Sequence, residues 1–222
     1  MSSSAAGPAL LVFDLDGTLV PTMEDYADKA ASLMEDAFGT PWAQARSNYF
    51  ATSGLPFEKQ LRQLYPGRDD TDRVADRFEQ WKDGYLQEIE LPPESAAILR
   101  QWREEGRLIA ISSNNLEVYV TRMAAEWPVD CALGYRPHDD YGKGEAHFAT
   151  LEERFALPRG RFLFVGDSPN DARIAARCGV AFRALLTDAF TVADFLAVDP
   201  EAITIRSLAS LDATIGPHST IA

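Results

Sequence analysis

Cysteine is nearly absent. Cys131 and Cys178 are the two thiols in 222 residues, and their separation fits neither a disulfide framework nor a thiolate metal site. Histidine is equally sparse, and His138, His147 and His218 show none of the spacings that zinc sites use. Basic residues are outnumbered, 21 Lys and Arg against 34 Asp and Glu, for a net charge of −13. That balance excludes the basic surface on which non-specific nucleic-acid binding depends. No apolar run approaches the length of a membrane span. The segment 1–8 is small and polar, without the basic start and apolar core of a secretory signal. Repeats are absent, as is low complexity beyond this tail. These absences predict a reduced, cytoplasmic protein, monomeric or dimeric, with neither nucleic acid nor membrane as partner.

What is present suits a folded core. Hydrophobic residues make up 46% and charged residues 25% of the chain, ordinary for a globular protein. The length fits one large domain or a domain carrying an insertion. Leu10 to Phe13 is a short continuous apolar run, as expected of a strand buried on both faces. From 22 to about 90 the pattern is helical throughout, with helices predicted over 23–38, 42–50, 57–65 and from 71 to about 89. Asp70 or its neighbours are placed to cap the last of these. After Leu91-Pro92-Pro93, strand and helix alternate. Strands are predicted at 108–111, 131–133, 162–165, 180–184 and 202–205, with helices at 94–105, 116–127, 144–157 and 169–178 between them. Such alternation implies a parallel sheet with helices on both faces. The helical stretch interrupts it directly after the first strand, so it reads as an inserted domain: 1–20 and 93–222 form the core, 21–92 the insertion.

Polar residues collect where the apolar strands end. Asp14 and Asp16 follow the first strand, one residue apart, with Gly17 free to turn the chain. Two such carboxylates repel each other and persist at a buried strand end only with a cation, hydrogen bonds or a proton to compensate. A solvated strand-to-turn junction is the plainer alternative. Ser112-Ser113-Asn114-Asn115 closes the second strand before a helix begins. Free N–H groups at a helix start bind anions, although either asparagine could serve only as an N-cap. Lys143 lies between Gly142 and Gly144 at the head of another helix. Asp167 ends the 162–165 strand, Ser168 and Pro169 suit an N-cap and first helical position, and Asp171 falls in the first turn, where it complements the helix dipole.

Asp14-x-Asp16-Gly17-Thr18 after an apolar strand resembles the first motif of the haloacid dehalogenase superfamily, whose members with both aspartates are mostly magnesium-dependent phosphohydrolases. Ser112, Lys143 and Gly166-Asp167-x-x-x-Asp171 resemble its second, third and fourth motifs, in order. The resemblance implies a Rossmann-like α/β core with an all-helical C1-type cap over 21–92. It implies Asp14 as nucleophile, Asp16 as acid and then base, and Lys143 as the cation beside the phosphoryl group. Mg²⁺ would be held by Asp14, Asp167 and the Asp16 backbone carbonyl, with Asp171 a ligand or an orienter of metal-bound water. Ser112, with Ser113 and Asn114 as second choices, would bind a small phosphorylated substrate, together with Gly17 and Asn170. Ser53-Gly54-Leu55-Pro56 resembles the cap loop of phosphoglycolate phosphatase-type members. In the helix after it, Lys59 and Arg62 lie three apart and share a face. With Arg46 and Arg68 they are the cap cations placed to dock the far end of an anionic substrate, or else solvated helix faces. The same motifs are shared by β-phosphoglucomutase-like isomerases. A phosphonatase-like enzyme would need a Schiff-base lysine, for which Lys29 is available, and a non-catalytic phosphate-binding module would need no turnover. A dehalogenase is disfavoured because that branch uses neither the Asp16 acid nor a metal.

Overall fold

The computed structural model describes residues 7–215; His218 and most of the polar N-terminal segment lie outside them. The described chain forms two compact units. One comprises the residues before Pro21 and those from Leu91 onward, the other Pro21–Glu90.

The first unit is built on six strands: β1 (Leu10–Phe13), β2 (Leu108–Leu116), β3 (Cys131–Tyr135), β4 (Phe162–Gly166), β5 (Ala181–Leu185) and β6 (Thr204–Ile205). All pair in parallel, in the order β3-β2-β1-β4-β5-β6. β1 is central, with Phe13 level with Ile111 of β2 and Val165 of β4. A central parallel strand is covered on both faces, so it is apolar without alternation. The helices are α5 (Pro93–Glu104), α6 (Glu117–Ala124), α7 (Glu145–Phe155), α8 (Pro169–Cys178) and the short α9 (Val192–Leu196). On one face Leu10, Val12, Ala110, Phe162 and Phe164 pack with Phe148 and Leu151 of α7 and Ile174 and Ala175 of α8. On the other, Phe13 stacks on Trp102 of α5 at 5.7 Å between ring centroids. The Trp102 indole N–H donates to Asp212 Oδ1 at 2.8 Å, tying the end of the described chain to that face. A buried indole satisfied in this way contributes both its large apolar area and a hydrogen bond.

The second unit holds four helices, α1 (Met23–Phe38), α2 (Trp42–Ala51), α3 (Phe57–Leu64) and α4 (Thr71–Tyr85). Its core is aromatic: Phe78 lies within contact of Tyr26, Tyr49, Phe57 and Trp81. Lys82 is buried here with its ammonium 3.1 Å from Glu79 Oε1 and over the rings of Tyr26 and Phe78, where ring faces and a carboxylate replace its water. None of the helices described in either unit is long and apolar enough to cross a membrane.

Several boundaries differ from the sequence-based expectation. β2 runs on through Ser112–Asn115 because β3 continues to pair with it, to Leu116 opposite Tyr135 after an irregularity. α6 therefore starts at Glu117 and ends at Ala124 rather than 127. α4 stops at Tyr85, short of 89, just after Gly84, a weak helix former. Asp70 sits at its N-cap position without a side-chain cap bond, because Arg68 occupies its carboxylate at 2.9 and 2.7 Å. α9 was not anticipated. Its five residues are too few to show a period, and the Thr191–Asp194 capping box carries it.

Candidate active site

The carboxyl ends of β1, β2 and β4 lie side by side at the centre of the sheet, where open α/β sheets place their ligands. Asp14 follows β1, its N–H held by Val165 O at 2.9 Å. Asp167 follows β4. Asp171 enters from the first turn of α8, where Ser168 and Asp171 form a full capping box. Gly166 makes this possible: a Cβ there would come within 2.8 Å of the Asp171 carboxylate. The oxygens of Asp14, Asp167 and Asp171 come within 4.8 Å of one another, and all three residues are buried.

Lys143 is the counter-charge. Its ammonium sits 2.8 Å from Asp14 Oδ1 and 2.9 Å from Asp171 Oδ1, with a side chain only 2% exposed. The backbone delivers it by two devices. Its N–H donates to Asn114 Oδ1 at 3.0 Å, and Gly144 turns at φ 121°, a conformation that glycine favours, so α7 begins at once behind it. Burial alone would pull the Lys143 ammonium down, but Asp14 and Asp171 outweigh it and hold the group above its ordinary range. Burial pushes Asp14 up to about 7, with Lys143 opposing and Asp171 and Asp16 adding to the rise. Asp167 is raised well above the carboxylate range by burial, then by Asp14 and Asp171. Asp167 Oδ2 is buried with no hydrogen-bond partner among the described residues.

The remaining sequence-predicted residues divide. Asp16 stands outside the three-carboxylate cluster, and its Oδ2 accepts from Asn115 Nδ2 at 2.6 Å. Gly17 makes the turn after β1 at φ 76°, its N–H bonded to Val20 O at 2.8 Å. Ser112 turns its hydroxyl to His147 Nδ1 at 2.9 Å. Ser113 Oγ accepts the Asn115 N–H at 3.0 Å. Neither asparagine caps α6; Leu116 holds the N-cap position without a side-chain bond, and both asparagines serve Lys143 and Asp16 instead. Asn170 is half-buried at the head of α8. Lys59 and Arg62 belong to α3 of the second unit, where Arg62 Nη2 pairs with Asp72 Oδ1 at 3.0 Å. Arg46 pairs with Glu24 and Asp28, and Arg68 with Asp70. Lys29 lies over the Trp81 ring. Asn115 and His147 are contacts that the sequence did not single out. The sequence reads Asn115 only as a possible helix cap, and nothing in the spacing marks His147.

Such a sheet, with carboxylates at its central strand ends around one buried lysine, is an α/β fold with its candidate site at the carboxyl ends of the strands. The chain belongs to the haloacid dehalogenase-like hydrolase family, whose model matches residues 11–176. It is similar to the phosphoglycolate phosphatase of Cereibacter sphaeroides, 25% identical over 198 residues covering 81% of this chain and 85% of that protein. In fold it is similar to the haloacid dehalogenase-like family protein SP0104 of Streptococcus pneumoniae, with a TM-score of 0.75 at 19% identity, covering 93% of this chain and 98% of the other. A hydrolase from Pseudomonas syringae matches with a TM-score of 0.75 at 18% identity, covering 93% and 97%.

Proposed function

We propose that the protein is a magnesium-dependent phosphatase that hydrolyses a small phosphorylated metabolite through an aspartyl-phosphate on Asp14. The observation that carries this reading is the buried Lys143 bridge between Asp14 and Asp171, with Asp167 beside it. Three carboxylates against one ammonium leave two negative charges uncompensated when all are ionised. The orphaned Asp167 Oδ2 shows where compensation is missing. An all-oxygen donor set with that residual charge suits Mg²⁺, held by Asp14, Asp167 and the Asp16 backbone carbonyl, with Asp171 as ligand or orienter. Mg²⁺ when bound supplies charge neutralisation for carboxylates and phosphoryl oxygens together.

The chain's own residues account for the steps. Asp14 Oδ1 is occupied by the Leu15 N–H at 2.7 Å and by Lys143, which directs Oδ2 to phosphorus. The Oδ2–P bond forms as the bond from phosphorus to the leaving oxygen breaks. Asp16, steadied by Asn115, gives its proton to that oxygen. It then takes a proton from the water that attacks phosphorus, and the P–Oδ2 bond breaks. Lys143 offsets the repulsion between anionic Asp14 and an anionic substrate. Lys59 and Arg62 are the proposed docking cations for the substrate's distal group. The exposed Arg62–Asp72 pair is worth about 0–1 kcal/mol, so a substrate anion can displace it. The likeness to phosphoglycolate phosphatase makes 2-phosphoglycolate the first compound to assay. A panel of small phosphate monoesters, run with Mg²⁺ and with EDTA, tests the reading. Magnesium-dependent release of phosphate is expected, and no release from any ester would refute it.

A further inference from the structure

Asp16 stands outside the three-carboxylate cluster, and separate parts of the chain fix its backbone and its side chain. The backbone is set by its own turn. The Leu15 carbonyl accepts from the N–H groups of Leu19 and Val20 at 2.9 and 3.1 Å, and the Gly17 N–H donates to Val20 O at 2.8 Å. The side chain is held from 99 residues away, where Asn115 Nδ2 donates to Asp16 Oδ2 at 2.6 Å. Asn115 is itself placed rigidly. It is buried, and its backbone N–H donates to Ser113 Oγ at 3.0 Å. β3 lies flush against it: a Cβ at Gly134 would strike the Glu117 backbone and lie 3.0 Å from the Asn115 carbonyl oxygen. An amide NH₂ only donates, so the carboxyl oxygen facing it stays an acceptor whether Asp16 is ionised or protonated. In protonated Asp16 the proton therefore belongs on Oδ1.

We propose that Asn115 is a positioning residue for Asp16: its amide holds Oδ2, so that Oδ1 gives the proton to the leaving oxygen and then takes one from the attacking water. In the first step the Oδ1–H bond breaks as the O–H bond of the leaving alcohol forms, and the electron pair left behind makes Asp16 a carboxylate. A hydrogen bond to a carboxylate is roughly twice as strong as one to a neutral group. The Asn115 bond therefore strengthens as the proton departs and favours that step. In the second step the water's proton returns to Oδ1, and the contribution of Asn115 is orientation alone. The inference rests on the phosphatase reading for its kinetic consequence; the hydrogen bond and the division of the two oxygens stand on the side-chain geometry.

The test has two arms. The first follows kcat/KM, with Mg²⁺ present, over substituted phenyl phosphates whose leaving phenols rise in pKa. A phenol of low pKa departs with little help from an acid, whereas one of high pKa needs the proton. Asn115→Leu keeps the side chain's volume and removes the donor; Asn115→Ala removes both. Each variant is expected to lose roughly ten times more on phenyl phosphate than on p-nitrophenyl phosphate, within the roughly 10²–10⁴-fold that general acid catalysis supplies. A fraction of misfolded enzyme lowers every ester alike, so the slope against leaving-group pKa separates positioning from packing. Equal losses across the series would refute the positioning role. In an Asp16→Asn background, Asn115→Leu should cost nothing more on phenyl phosphate, because residues that work as a unit are non-additive; losses that multiply would count against it. The second arm needs no turnover. It is ¹⁵N NMR of the Asn115 side-chain amide, assigned by its loss in Asn115→Ala. One of the two amide protons is expected well downfield of its usual range, and back within that range in Asp16→Ala. An ordinary amide pair in the wild-type protein would overturn the proposal. If the wild-type protein hydrolyses none of the esters, the phosphatase reading fails, and the NMR arm still decides whether Asn115 holds Asp16.

Discussion

Replacing Lys143 by Met removes the cation of the buried cluster while keeping most of the side chain's volume. Its ammonium lies 2.8 Å from Asp14 and 2.9 Å from Asp171. At an effective dielectric of about 20, each contact is worth roughly 6 kcal/mol of attraction, set against the desolvation of three charged groups. Taking one partner from a buried pair leaves the others uncompensated, and such changes destabilise by about 3–5 kcal/mol. The loss depends on pH. Lys143 lowers the Asp14 carboxyl, so without it Asp14 rises further above its unfolded value. A carboxyl raised in the folded state holds more protons than the unfolded chain, so stability falls as pH rises through that window. The deficit of Lys143→Met against wild type is therefore largest near pH 8 and smallest near pH 5. Urea unfolding followed by circular dichroism, in EDTA at both pH values, measures it. A variant within about 1 kcal/mol of wild type at pH 8 would refute the reasoning, since even surface pairs reach that size.

Asp167→Asn removes a carboxylate that burial holds well above its ordinary range. In EDTA at pH 8 it is expected to raise the melting temperature, by about 2–4 °C for each kcal/mol relieved, and to abolish most of the upward shift that Mg²⁺ gives wild type; differential scanning fluorimetry reads both. Lys59→Ala with Arg62→Ala is expected to raise KM for the preferred metabolite severalfold and leave p-nitrophenyl phosphate, which has no polar distal group, unchanged; equal losses on both substrates would remove these cations from recognition. His147 has a folded value of about 3 against about 6.5 unfolded. The unfolded chain therefore binds the extra proton between these values, and stability falls as pH drops below 6.5, by about 2 kcal/mol at pH 5. His147→Leu should flatten that acid limb in urea titrations.

The three carboxylates of the cluster could be placed from the sequence because each sits where an apolar run ends or a helix begins, and strand ends converge in a parallel sheet. Asp14, Asp167 and Asp171 are set by local features: a four-residue buried strand, a glycine and a capping box. Lys143 was placed by motif order alone, since its pairing with Asp14 spans more than a hundred residues and has no local signature. Ser112 shows the limit. Its position on β2 could be read, but its hydroxyl direction is decided by His147, 35 residues on. Asn114 and Asn115 read equally well as helix caps. They lie in the irregular stretch of β2 between the Ser112–Leu133 and Leu116–Tyr135 pairs, where their side chains meet the Lys143 N–H and Asp16. In the second unit the helices followed from their periodicity, whereas the ion pairs that engage Arg46 and Arg62 join residues of different helices, and Arg68 pairs with Asp70 inside one turn.

The claim that the phosphoryl group passes through Asp14 is tested most directly by rapid acid quench during turnover of the preferred substrate, followed by peptide mass mapping. A hydroxylamine-sensitive phosphoryl adduct on the peptide carrying Asp14 is predicted, absent from Asp14→Asn, which should retain its fold and lose turnover. An Asp14→Asn enzyme that still hydrolyses the ester at a rate near wild type would contradict the account.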